Sequence, residues 1–97
     1  MPTPSHSFYL ISYDIPDDRR RLRVAKILLD FGTRVQYSVF EANLEQRHLE
    51  RLKQRLHRVL KEDKDSVRIY GLCAQCAARV EILGTGELTR DREVYIV

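Results

Sequence analysis

The run Phe8, Tyr9, Leu10, Ile11, Ser12, Tyr13 is almost wholly apolar or aromatic, which predicts a central strand covered on both faces. Pro16 ends it. Asp17 or Asp18 can cap the helix that follows, because a short carboxylate satisfies free backbone N–H groups and suits the helix dipole. That helix is predicted to run to about Asp30, with Gly32 as its C-terminal stop. At about 100° per residue, Arg19, Arg23, Lys26 and Asp30 share one narrow stripe. Leu22, Val24, Ala25, Ile27, Leu28, Leu29 and Phe31 spread around the rest. So little polar surface implies cover on more than one side, part of which a second subunit can supply.

Further along, Val35 to Val39 alternates cleanly, and Phe40 to Leu44 alternates in the opposite phase. A strand cannot change face without a bulge or a turn, so two short strands or one broken strand are expected. Asn43 to Gln46 resembles a capping box that opens a second helix. Leu49, Leu52, Leu56, Val59 and Leu60 form the apolar stripe of that helix, with Arg47, Arg51, Arg55 and Arg58 roughly opposite. His48 and His57 are read as solvent-facing. Strands are predicted over 67–72 and 78–83, a turn at Gly84-Thr85-Gly86, and a last strand over 93–97. The order of elements predicts an α+β sandwich of ferredoxin-like type, with the helices on one face of a sheet.

The chain has 97 residues and reads as a single domain over 1–97, with about 1–7 as a flexible N-terminus. A domain of about this size buries well under three quarters of its unfolded surface, so association with a partner is favoured. Seventeen Lys plus Arg against fourteen Asp plus Glu give a net charge of +3, which permits polyanion binding without requiring it. No segment approaches the roughly 20 apolar residues of a membrane span, and no signal peptide is visible. With only two cysteines there is no disulfide framework, and a reducing cytoplasm is the expected compartment.

The chemistry concentrates at Asp14, where the first strand surfaces. It is either a turn-forming Asp ahead of Pro16-Asp17 or a ligand for a divalent cation. One carboxylate is too few for a catalytic magnesium site. A twofold dimer through the strand end resolves the shortage by placing Asp14 opposite its own copy. Two facing carboxylates repel unless a cation or proton sits between them, so such a pair favours metal. Arg19, Arg20, Arg21 and Arg23 open the first helix on the same edge, where guanidinium groups and helix N–H groups can hold phosphate. Alternatively they form a solvated helix face. Arg34 is ambiguous on spacing alone. Cys73-Ala74-Gln75-Cys76 lacks the further ligands of a zinc site, and Cys73 follows a strand, whereas a redox pair places its first Cys at a helix N-terminus. Two thiols at a strand end or turn is the simpler reading.

Tyr13-Asp14-Ile15-Pro16-Asp17-Asp18, Arg21, Arg23 and the block Gly32-Thr33-Arg34-Val35-Gln36-Tyr37-Ser38-Val39-Phe40-Glu41 together resemble the CRISPR-associated protein 2 family. The resemblance runs from about Phe8 to the end of the chain. It implies a homodimer of ferredoxin-like βαββαβ protomers with an additional C-terminal strand, within about 84–97, that packs on the partner subunit. Val35-Gln36 and Val39 to Leu44 become separate strands. It further implies a Mg²⁺-dependent (or Mn²⁺-dependent) endonuclease acting on RNA or DNA, with Asp14 as catalytic residue and metal ligand. Tyr13, Arg21, Arg23, Arg34 and Phe40 are implicated beside it. A second implied role is as an adaptor that holds duplex DNA for the CRISPR-associated protein 1 integrase during spacer acquisition, with cleavage dispensable. A toxin-like ribonuclease is a third reading.

Overall fold

The computed structural model describes residues 6–88. Its elements are β1 (Ser7–Asp14), α1 (Asp18–Leu29), β2 (Thr33–Gln36), β3 (Val39–Leu44), α2 (Gln46–His57), β4 (Ser66–Leu72) and a short α3 (Ala74–Ala78). The sheet order is β2-β3-β1-β4, with every neighbouring pair antiparallel. Interleaving β1 between β3 and β4 is the ferredoxin-like arrangement expected from the order of elements. Tyr9, Ile11 and Tyr13 of β1 and Phe40, Ala42 and Leu44 of β3 point to one face. There they meet Val24, Ala25, Leu28 and Phe31 from α1 and Leu49, Leu52 and Leu56 from α2. The period of two in the strands and of 3.6 in the helices converge on this one core.

The phase change at Tyr37-Ser38 is a turn joining β2 to β3, with a register shift between Arg34 and Gln36. Two strands, not one, occupy 33–44. Asp17 caps α1 and accepts a hydrogen bond from the Arg20 backbone N–H at 2.9 Å. That contact holds its carboxyl below the usual carboxylate range. Leu22 and Leu29 stay 59% and 50% exposed, so the described residues do not cover the broad apolar arc of α1.

Several expectations are corrected. The N-cap of α2 is Glu45, without a side-chain cap bond, because Asn43 is already paired with Phe8 inside β3. The Gln46 side chain donates forward to Glu50 at 2.8 Å. His48 is buried, at 8% exposure, while His57 is exposed. Gly32 does not end α1 through a left-handed turn. Asp30 is the C-cap, and Gly32 is required because a Cβ there would lie 2.3 Å from the Glu41 carbonyl oxygen. The strand expected over 78–83 does not form. Cys73 caps α3 directly after β4, the alanine-rich segment 74–78 turns helical, and residues 79–83 have no strand partner. Alternation places side chains, but a strand also needs a hydrogen-bonded neighbour. The strand expected over 93–97 and most of the N-terminal segment lie outside the described residues.

Candidate active site at the end of the first strand

Three elements meet where β1 ends. The Tyr13 backbone N–H donates to the Ser38 carbonyl at 3.1 Å, and the Tyr13 hydroxyl donates to the Tyr37 carbonyl at 3.1 Å. The turn between β2 and β3 is thereby pinned to β1. Residue 14 follows on the exposed end of the strand, and α1 begins a few residues later. Between them opens a cavity of about 490 Å³, lined by Tyr13, Asp14, Arg21, Leu22, Arg34 and Tyr37 among others.

Asp14 is exposed, and its carboxylate has no hydrogen bond or ion pair among the described residues. Asp18 lines the same cavity but is engaged by the Arg21 guanidinium. Arg21 also donates to the Ile15 carbonyl at 2.8 Å, so its fork is oriented by the loop it follows. Arg34 reaches the site from β2. Its guanidinium lies 5.3 Å from the centre of the Phe40 ring and donates to the Tyr13 hydroxyl at 3.4 Å. Phe40 itself is 0% exposed, with its ring centre 6.3 Å from that of Tyr13. Its ring is enclosed beneath the Arg34 guanidinium and beside Tyr13.

The arginines grouped by sequence point in different directions. Arg20 turns away and forms a bidentate pair with Asp65, at 2.7 and 2.9 Å. The Asp65 side chain is fully enclosed, also accepts the Lys61 backbone N–H, and is held below the usual carboxylate range chiefly by Arg20. Arg19 is exposed outside the cavity, and Arg23 lines a groove between α1 and α2. Only Arg21 and Arg34 of the expected set share the Asp14 cavity. Sequence reasoning did not single out Leu22, Tyr37 or Ser38 as lining residues. Tyr37 is a 93% exposed aromatic at a hairpin turn, a placement that burial does not explain and that only the structure reveals.

A hard divalent cation suits the oxygen donor at Asp14. Among the described residues, no three His, Cys, Asp or Glu side chains gather to hold one. No helix among the described residues is long and apolar enough to cross a membrane. The sequence reading of Cys73 also changes. Cys73 does stand at a helix N-terminus, where the Cys76 backbone N–H and thiol hold its own thiol below the ordinary value.

A family model described as CRISPR associated protein Cas2 matches residues 7–80. The chain is 47% identical over 92 residues to the CRISPR-associated endoribonuclease Cas2 1 of Chloroflexus aurantiacus, covering 93% of this chain and 99% of that one. Streptococcus pyogenes Cas2, solved at pH 6.5, aligns with a TM-score of 0.69 and 36% identity, over 79% of this chain and 99% of that one. A chain from a partial Cas6-RT-Cas1–Cas2 complex aligns with a TM-score of 0.68 and 27% identity, over 79% of this chain and 90% of that one. With the family model spanning β1 to the end of α3, and a relative this similar over nearly its full length, the chain belongs to the CRISPR-associated protein Cas2 family.

Proposed function

We propose that this protein is a cytoplasmic component of the CRISPR spacer-acquisition machinery, binding nucleic acid as a homodimer and hydrolysing phosphodiester bonds with Mg²⁺ or Mn²⁺. The observation that carries this reading is the exposed, unbridged Asp14 carboxylate in one cavity with Arg21 and Arg34. The similarity to a named endoribonuclease supports it. Asp14 and the Asp14 of a second copy would hold the metal, since among the described residues no further His, Cys, Asp or Glu cluster completes a site. The ion, when bound, supplies activation of water and charge neutralisation at the phosphate.

The chain's own side chains do the positioning. Arg34 and Arg21 present guanidinium donors to phosphate oxygens across the cavity. The Tyr13 hydroxyl spends its proton on the Tyr37 carbonyl and accepts from Arg34. It therefore aims Arg34 into the cavity. Asp14→Asn keeps the shape of the side chain and removes its charge. Cleavage by the purified protein with Mg²⁺ is expected to be lost while the fold survives. Full cleavage by a nuclease-free preparation of this variant rules the catalytic reading out.

The likeness to a chain from a complex that contains Cas1 favours a second role, as an adaptor between duplex DNA and the Cas1 integrase. In that role Asp14→Ala leaves spacer acquisition intact, whereas charge reversal at Arg21 and Arg34 blocks it. Acquisition that survives the reversal defeats the adaptor reading.

A further inference from the structure

On the helical side of the molecule, α1 and α2 converge on a groove of about 330 Å³ lined by Arg23, Lys26, Ile27, Arg55, Arg58 and Val59. No acidic residue lines it. Arg55 is held in place by Asp30 at 2.9 Å and lies 5.5 Å from the centre of the buried Phe31 ring. Arg23, Lys26 and Arg58 are exposed and form no ion pair among the described residues. Several cations stand near the helix C-termini and complement the dipoles there, which accounts for each one singly. It does not account for two rows converging on one cleft. Within each row the spacing i, i+3 sets a rise of about 4.5 Å.

We infer that this groove is a second contact for a nucleic-acid phosphate backbone, separate from the Asp14 cavity. Its aliphatic floor and basic rims contain no aromatic side chain on which to stack a base, and its guanidinium forks match phosphate oxygens bidentately. Contacts limited to charge and guanidinium donors suit the sequence-independent backbone. The inference rests on the reading that the protein handles nucleic acid, but it does not need Asp14 or cleavage.

The test is fluorescence polarisation of a labelled DNA duplex with the full chain in EDTA, across a salt series, comparing wild type with Lys26→Gln/Arg58→Gln. Each phosphate contact contributes about −0.9 to the slope of log K against log salt, so losing two lowers its magnitude by about 1.8. Between about 50 and 200 mM salt, wild type should then lose about twelvefold more affinity than the variant. As a measurement on the unaltered protein, bound duplex should protect Lys26 from acetylation. Unchanged slope and affinity, or Lys26 acetylated equally with and without duplex, overturns the inference. So does a variant that loses binding to polyglutamate but keeps duplex binding, which assigns the groove to an acidic protein segment. Failure of the cleavage reading is separable: Asp14→Asn then cleaves like wild type while the slope result stands. A wild type that binds no duplex at any salt overturns the inference and the duplex-adaptor reading, and leaves the cleavage reading to the Asp14→Asn assay.

Discussion

Replacing Gly32 with alanine should destabilise the protein through clashes with β3. The new Cβ would lie 2.3 Å from the Glu41 carbonyl oxygen and 2.9 Å from the Ala42 Cβ. Carbon–oxygen contacts settle at about 3.3 Å or more, so the chain around Gly32 and β3 must part by about 1 Å. The obstacle is backbone in β3, which is paired on both sides by β1 and β2 and cannot swing aside as a side-chain tip can. Overpacking of this kind costs about 1–3 kcal/mol, and a backbone obstacle belongs at the upper end. Alanine recovers about 0.4–1 kcal/mol by restricting the unfolded chain, leaving a loss of about 2 kcal/mol. For a domain near 100 residues, that lowers the melting temperature by about 8–16 °C. Gly71→Ala is the control, since its Cβ would meet only the edge of the Tyr9 ring at 3.2 Å. It should cost less than about 1 kcal/mol. Calorimetry of the three proteins decides the matter. Because Gly32 adjoins Thr33 and Arg34, the same shift should weaken phosphate binding in the Asp14 cavity. A Gly32→Ala melting temperature within about 3 °C of both wild type and Gly71→Ala refutes the steric reasoning.

Leu52→Ala removes a side chain that is fully buried between α2 and the sheet, and should cost about 2–5 kcal/mol by equilibrium urea unfolding. A loss below about 1 kcal/mol would show that the site collapses freely. The Arg20–Asp65 pair should make the protein acid-sensitive. The folded value of Asp65 lies below its unfolded value near 3.8, so its contribution is present above that pH and is lost as pH falls through the folded value. Wild type should therefore lose more stability on acidification than Arg20→Gln, as urea midpoints over a pH series will show, and parallel curves would count against the pairing. Cys73, whose thiol is held below its ordinary value, should alkylate faster with iodoacetamide near neutral pH than Cys76, whose thiol is raised by the same contact. Peptide mass spectrometry reads the order, and preferential modification of Cys76 contradicts it.

The order of elements from β1 to β4, the Asp17 cap, the apolar stripe of α2 and the break between β2 and β3 were all legible in the sequence, because each is a matter of local periodicity or a single hydrogen bond. Asp14 was legible as a carboxylate where an apolar strand surfaces. The segment over 78–83 misled because its alternation matched a strand, while the pairing a strand needs is settled by distant residues. The start of α2 misled for the same reason, since Asn43 was already committed to the sheet by its pairing with Phe8.

Arg19, Arg20, Arg21 and Arg23 show most plainly where sequence stops. Neighbours on a helix point about 100° apart, so a run of arginines is one patch in the sequence and several in space. Arg20 was drawn to Asp65, Arg21 to the Asp14 cavity and Arg23 to the groove against α2. Arg34, ambiguous on spacing, joined Asp14 because the turn between β2 and β3 is pinned to Tyr13 and the buried Phe40 ring lies beneath its guanidinium. Sequence alone determined the elements from β1 to β4 and that a carboxylate ends the first strand. The partner of each charged side chain was decided only by the tertiary structure, because burial and long-range pairing set its direction.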